Sequence, residues 1–166
     1  MMNKNEYEVI KSEIDRLSEE YKQGNNNNAI DAIIKYLNHK DNYVKEMALN
    51  ALSKLKDKKA TKYVIKVLKD TDHSRQMKAI FTLGHIGDKK AVNPLLQILK
   101  KGRDNRENAA YALGEIGDKK AVSVLMKTCF DNDYNVRKAS RNALSMIPDA
   151  IEPLIRMMIS SGDKNK

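Results

Sequence analysis

Tryptophan is absent from this 166-residue chain, phenylalanine occurs twice and cysteine once. With so few large rings, a core has to be assembled from small and aliphatic side chains, a composition that suits closely packed helices in one domain of this length. A lone Cys129 excludes an internal disulfide, and its place on the apolar side of a predicted helix marks it as a core residue rather than a nucleophile. That points to a reducing compartment. No apolar run approaches the ~20 residues needed to span a bilayer. The opening Met1 to Ile10 is polar and charged, so neither a secretory leader nor a membrane partner is expected, and the predicted location is cytoplasmic.

What is present is repetition. Leu83-Gly84-His85-Ile86-Gly87-Asp88-Lys89-Lys90-Ala91-Val92 returns thirty residues later as Leu113-Gly114-Glu115-Ile116-Gly117-Asp118-Lys119-Lys120-Ala121-Val122. Self-similarity of this length and period is the signature of a repeat solenoid. Extending the register gives units 29–59, 60–90, 91–120 and 121–149, opening after Asn28 and then at Ala60, Ala91 and Ala121, with Ala150 beginning the next. Each unit holds two apolar stripes of helical period, such as Ala91, Leu95, Ile98 and Leu99, then Ala109, Ala112, Leu113 and Ile116, separated by a polar break. A helical hairpin per unit follows. Asp57, Asp88 and Asp118 stand where N-cap acceptors are needed, and Gly87 and Gly117 where a left-handed C-cap residue is needed. Pro94 and Pro153 fall in first turns, where a missing N–H matters little.

A first helix of the form Ala-Val-x-Pro-Leu-Leu, a second of the form Val-Arg-x-x-Ala-x-x-Ala-Leu and the closing Gly-x-Ile-Gly-Asp resemble the HEAT-like repeats first grouped around phycobilin lyases. The resemblance covers residues 29–159, and is weakest in the first unit, where Lys45 replaces the arginine and Ser53 and Lys56 replace two glycines. It implies an all-α fold, a right-handed α-solenoid of HEAT-like, armadillo-like hairpins. Only Asp131 with Arg137 keeps the aspartate-to-arginine spacing that commonly ties HEAT hairpins together, so stacking is attributed mainly to apolar burial.

Both ends read as capping helices, since a terminal repeat must turn a polar face to water. Tyr7, Ile10, Ile14, Leu17 and Tyr21 form one stripe of an amphipathic helix within residues 1–24, opposite Glu13, Asp15, Glu19 and Glu20. Its alternative reading is a docking helix for another protein. Residues 25–28 are an asparagine linker whose last member, Asn28, is placed to cap the next helix. Residues 150–159 read as a closing helix and 160–166 as a mobile tail.

The net charge of +9 is uneven. Residues 1–24 carry −2, and the four units +3, +4, +2 and +1 in order. Lys58, Lys59, Lys89, Lys90, Lys119 and Lys120 occupy the same vertex of successive hairpins, and hairpins stack ~10 Å apart, so a basic edge is expected. It serves either solvation of an exposed turn or tracking of phosphates.

By resemblance, the binding surface is the concave face lined by the second helices. The positions left free by the repeat form the rows Glu46, Met77, Glu107, Lys138; Met47, Lys78, Asn108, Ala139; Asn50, Phe81, Tyr111, Asn142; and Lys54, His85, Glu115, Met146. Phe81 and Tyr111, with Met77 and His85 a turn to either side of Phe81, have the composition of an interface hot spot. Phe81 is read as outward-facing because Ala79, Ile80 and Leu83 already fill the inward positions. Glu46, Glu107 and Glu115 among the lysines would repel phosphates, so a protein helix or extended peptide is the expected ligand and nucleic acid the runner-up, including the DNA-base-modifying HEAT-like proteins.

Catalytic constellations are not found. HEAT-repeat deoxyhypusine hydroxylases hold iron with His-Glu dipeptides, whereas the three histidines here precede Lys40, Ser74 and Ile86. His85 and Glu115 occupy equivalent positions of adjacent units, but one imidazole and one carboxylate do not complete a metal site, and a hydrogen bond is the simpler expectation. Each Gly-x-x-Gly is a helix end rather than a phosphate loop, and no nucleophile motif accompanies the serines. The sequence thus predicts a non-catalytic scaffold for protein binding, without metal or cofactor and monomeric on its own.

Overall fold

The computed structural model describes residues 3–26, 28–102 and 104–150, with only the backbone of Asp149. The closing helix expected at 150–159 and the tail at 160–166 lie outside the described residues, apart from Ala150. Regular structure among the described residues is entirely helical: α1 (Lys4–Lys22), α2 (Ala29–Lys35), α3 (Asn42–Leu55), α4 (Thr61–Val67), α5 (His73–Ile86), α6 (Val92–Lys101), α7 (Arg106–Ile116), α8 (Val122–Thr128) and α9 (Tyr134–Met146). Short 3-10 turns at Lys58–Ala60, Lys89–Ala91 and Lys119–Ala121 lead into α4, α6 and α8, and others lie at Tyr36–Asn38 and Pro148–Ala150. The chain divides into two compact units, Met1–Ala91 and Val92–Lys166.

The hairpins follow from their punctuation. Asp57 accepts the backbone N–H of Lys59 at 2.7 Å, Asp88 that of Lys90 at 3.0 Å and Asp118 that of Lys120 at 2.9 Å, so each expected aspartate closes the 3-10 turn that starts a first helix. Asp41, Asp72 and Asp133 do the same for the second helices α3, α5 and α9. Helices α5 and α7 then stop on left-handed glycines, Gly87 at φ 69° and Gly117 at φ 68°, whereas α9 stops on an extended Ile147. Lys56 occupies the corresponding place in the first repeat and adopts φ 55° with a side chain present. Asn28 is a correction: it makes no side-chain cap to α2.

In the first unit, α1 is opened by a capping box in which Asn3 Oδ1 accepts from the Glu6 N–H and Glu6 Oε2 from the Asn3 N–H. Its Ile14 and Leu17 are buried as α1 packs on α2 and α3. Beneath lie Ile30, Ile33, Val44, Leu49, Leu52, Val64, Ile80 and Leu83, all at zero exposure, each worth ~1.5–3 kcal/mol of burial. Arg75, at the start of α5, is almost fully buried and satisfied: Nε and Nη2 donate to both oxygens of Asp70 at 2.8 and 2.9 Å, and Nη1 to Asp72 at 2.8 Å. This pairing escaped the sequence reading because Arg75 is displaced from the usual place of the repeat arginine.

In the second unit, Leu95, Leu99, Leu113 and Leu125 form the buried centre. Gly114 brings α7 against α9 so closely that a Cβ there would sit 2.7 Å from Ala143 Cα. Thr128 and Ser140 satisfy each other in the interior across 2.7 Å. Cys129 is buried, and burial pushes its thiol pKa up, which suppresses the thiolate. The expected tie between Asp131 and Arg137 takes another form. Both carboxylate oxygens of Asp131 accept from Arg106 of the preceding hairpin, whereas Arg137 donates to the backbone carbonyls of Asp131 and Asn132 at 2.8 and 2.9 Å. Stacking of these hairpins therefore combines leucine burial with an inter-hairpin ion pair.

Candidate interaction surface

The free positions of the second helices behave differently in the two units. In the first, α3 lies between α1 and α5. Asn50 and Lys54 are exposed along α3, with Glu46 and Met47 half-buried; on α5, His85 is exposed and Met77, Lys78 and Phe81 are half-buried. The inward set expected for α5 is as predicted, Ala79, Ile80 and Leu83 having no exposure. Phe81 departs from the sequence reading in that part of its ring is covered. Two side-chain links bridge α3 and α5: Lys78 Nζ to Glu46 Oε2 at 2.7 Å, and a 2.6 Å hydrogen bond between Ser53 Oγ and His85 Nδ1. The hydrogen bond expected for His85 is one to Glu115, of the second unit; within the first unit its ring is bonded to Ser53, at one of the positions where the repeat has glycine elsewhere.

In the second unit, Tyr111 on α7 is 40% exposed, Glu115 and Asn142 are exposed, and Glu107 is half-buried. The basic-edge residues Lys58, Lys59, Lys89, Lys90, Lys119 and Lys120 are all exposed in their 3-10 turns.

The first unit also contains a feature that repeat arithmetic missed. Between α1 and α3 runs a cleft of about 350 Å³, with Ile14, Met47, Ala51 and Leu55 as its apolar walls and Lys11, Asp15, Glu19, Lys22 and Lys54 around them. Three of the predicted free positions, Met47, Asn50 and Lys54, line it. Helix α1 therefore does more than cover apolar surface, since its outer residues extend the face of α3. The signal in the sequence was the placement of Lys11, Asp15, Glu19 and Lys22 beside the apolar stripe, a rim pattern indistinguishable from a solvated helix face until the neighbouring helix is known. The chemistry available is that of binding: an apolar floor, amide and hydroxyl groups from Asn50 and Ser18, and charges of both signs.

Among the described residues no group of three or more His, Cys, Asp or Glu side chains is placed to hold a metal ion. No described helix is long and apolar enough to cross a membrane.

Comparison with known proteins agrees with the architecture. A crystal structure of an engineered protein superposes with a TM-score of 0.54 at 23% sequence identity, over 74% of this chain and 63% of that one. The aligned region thus spans less than two thirds of that protein, and the likeness is one of fold. No curated protein matches the chain. HEAT repeats match residues 30–106 and 102–165, most of the chain, and the protein therefore belongs to the HEAT-repeat family.

Proposed function

We propose that the protein is a non-catalytic interaction module that holds a segment of a partner protein against the outward faces of its second helices. HEAT repeats in general mediate protein–protein interaction or scaffolding. The observation that carries the reading for this chain is the cleft between α1 and α3, whose apolar floor and two-signed rim match an amphipathic helix or extended peptide. Asp15 and Glu19 alternate there with Lys11, Lys22 and Lys54, a two-signed rim that suits a polypeptide carrying both charges better than a uniformly anionic backbone. On α5 the partner would meet Met77, Lys78, Phe81 and His85, and on the second unit Tyr111 offers an exposed ring.

The test is to isolate the partner by affinity purification from the native host with nuclease treatment, then titrate it against wild type and Asn50→Arg. Asn50 is exposed, so a long cation there obstructs the cleft without disturbing the core. Binding weakened at least tenfold at unchanged melting temperature is expected. Unchanged binding by Asn50→Arg, together with loss on replacing the turn lysines by Gln, would move the function to the basic edge and to nucleic acid.

A further inference from the structure

A second cleft of the first unit, of about 360 Å³, has no residue of a second helix in its lining. It is formed by the 3-10 turn Lys58–Ala60, the first turn of α4 and the next 3-10 turn, which bring Lys58, Lys59, Lys62 and Lys90 to one hollow; Asp31 of α2 is the sole carboxylate in its wall. We propose that this cleft binds a phosphate monoester dianion.

The charge is the first argument. Four ammonium groups converge on the hollow, with Asp31 in its wall and the Asp88 carboxylate, which feels the charges of Lys90 and Lys58, close by, so cations outnumber carboxylates. A compact anion is drawn to this excess of positive charge. A monoester carries about −1.5 to −2 at neutral pH and three strong acceptor oxygens, which lysines bind as mobile point charges.

The wall supplies a second argument. Thr61 lines the cleft at 1% exposure, and its hydroxyl has no partner at hydrogen-bond distance and angle. Asp88 lies close by: burial raises its carboxyl pKa, but the Lys90 N–H, the proximity of the Thr61 hydroxyl and the charges of Lys90 and Lys58 together hold it below the ordinary carboxylate range. The Thr61 hydroxyl thus lies beside that carboxylate without a hydrogen bond of full geometry. A buried hydroxyl in this condition is uncommon in native proteins and invites a ligand explanation.

Two features select the monoester over other phosphates. The Tyr63 ring is met by Lys62 Nζ at 4.8 Å and Lys66 Nζ at 5.7 Å from its centroid, so cations take the place that a nucleobase would need for stacking. A diester backbone passing through the hollow would have to run past Asp31, whereas a terminal phosphoryl group can settle on the lysine side alone.

The experiment is a calorimetric titration at low salt of the whole chain with inorganic phosphate, a phosphoserine peptide, its unphosphorylated twin and a single-stranded RNA. Wild type is compared with Lys58→Gln/Lys62→Gln/Lys90→Gln and with a charge control, Lys119→Gln/Lys120→Gln. Binding of phosphate or phosphopeptide, weakened at least tenfold by the triple substitution and less than twofold by the control, with melting temperatures unchanged, is the expected result. Phosphopeptide binding much tighter than inorganic phosphate identifies a modified protein as the source, and equal affinities identify free phosphate. Equal weakening by both variants, binding of the unphosphorylated twin as well as the phosphopeptide, or RNA binding in preference to either monoester would overturn the proposal.

Discussion

The hydroxyl of Tyr21, in the last turn of α1, donates to Oδ2 of Asp57 at 2.7 Å, while Oδ1 of the same carboxylate accepts the N–H of Lys59 at 2.7 Å. One aspartate therefore starts the second hairpin and fastens the N-terminal helix to it. The hydrogen bond to Asp57, followed by burial, raises the Tyr21 pKa. Tyr21→Phe removes one neutral-to-charged hydrogen bond and should lower stability by ~0.5–2 kcal/mol in urea unfolding. Asp57→Ala removes the cap as well and should cost ~2–3 kcal/mol. A cycle of the two single changes and the double should show coupling, because Tyr21→Phe has nothing left to lose once Asp57 is gone.

Acid should weaken the first unit through Asp70. Its hydrogen bonds from Arg75 hold its pKa down to about 2 from an ordinary 3.8, against the opposing effect of burial. A carboxylate lowered on folding contributes stability that is fully present above about pH 4 and disappears as the pH falls through about 2. The size is ~2 kcal/mol. Asp70→Asn should be less stable at neutral pH, and its stability should fall less steeply between pH 4 and 2 than that of wild type. Parallel curves would show that other carboxylates govern the acid limb.

Gly114→Ala should destabilise by ~1–3 kcal/mol. The added methyl would lie 2.7 Å from Ala143 Cα and 3.0 Å from its Cβ, so a helix backbone rather than a flexible side chain must yield. The smaller unfolded-state entropy of alanine favours the variant by less than ~1 kcal/mol and does not offset this. Thermal melts decide it, since an unchanged melting temperature would mean that α7 and α9 can part freely.

Lys56→Gly should act in the opposite direction. Lys56 holds a left-handed backbone at φ 55°, a conformation that strains any residue with a Cβ by ~1 kcal/mol or more. Glycine relieves it at the expense of a floppier unfolded chain, for a net gain of ~0.5–1 kcal/mol, whereas Lys56→Ala retains the strain and should be near neutral. A destabilised Lys56→Gly would show that the lysine side chain contributes contacts outweighing the strain.

The position of Lys56 also explains what the sequence disclosed. The repeat register was legible because Leu83 and Leu113 head two nearly identical segments, and both leucines are fully buried in the structure. The aspartate caps at Asp57, Asp88 and Asp118 were equally legible, since an aspartate beside its own turn acts within two residues, whereas Asn28 makes no such cap. Partners separated along the chain were not legible. Arg106 and Asp131 lie 25 residues apart and Tyr21 and Asp57 lie 36, and no local pattern relates them. The cleft between α1 and α3 was hidden for the same reason: residues on α1 become rim residues only when α3 is set beside them. Phe81 illustrates the limit within a single helix, because periodicity assigns a direction while the degree of covering depends on neighbouring helices.

Its partial burial separates the two aromatic positions in the binding prediction. Tyr111 is 40% exposed, so Tyr111→Ala should cost less folding stability than the same change at Phe81, ~1 kcal/mol or below. Phe81 is partly packed, and Phe81→Ala should cost ~1–3 kcal/mol of stability, below the full cost of emptying a core site. If the second helices hold a protein segment, Tyr111→Ala should still weaken partner binding by at least ~2 kcal/mol, the level of a hot spot, because ring area exposed in the free protein is buried in the complex. Replacing the six turn lysines by Gln should reduce affinity far less, and mainly through a slower association that added salt mimics in wild type. Titrations at two salt concentrations beside thermal melts separate the cases. Loss of binding with the lysines and not with Tyr111 would discard the aromatic site, and a Tyr111→Ala chain that melts several degrees lower would show the ring to be structural.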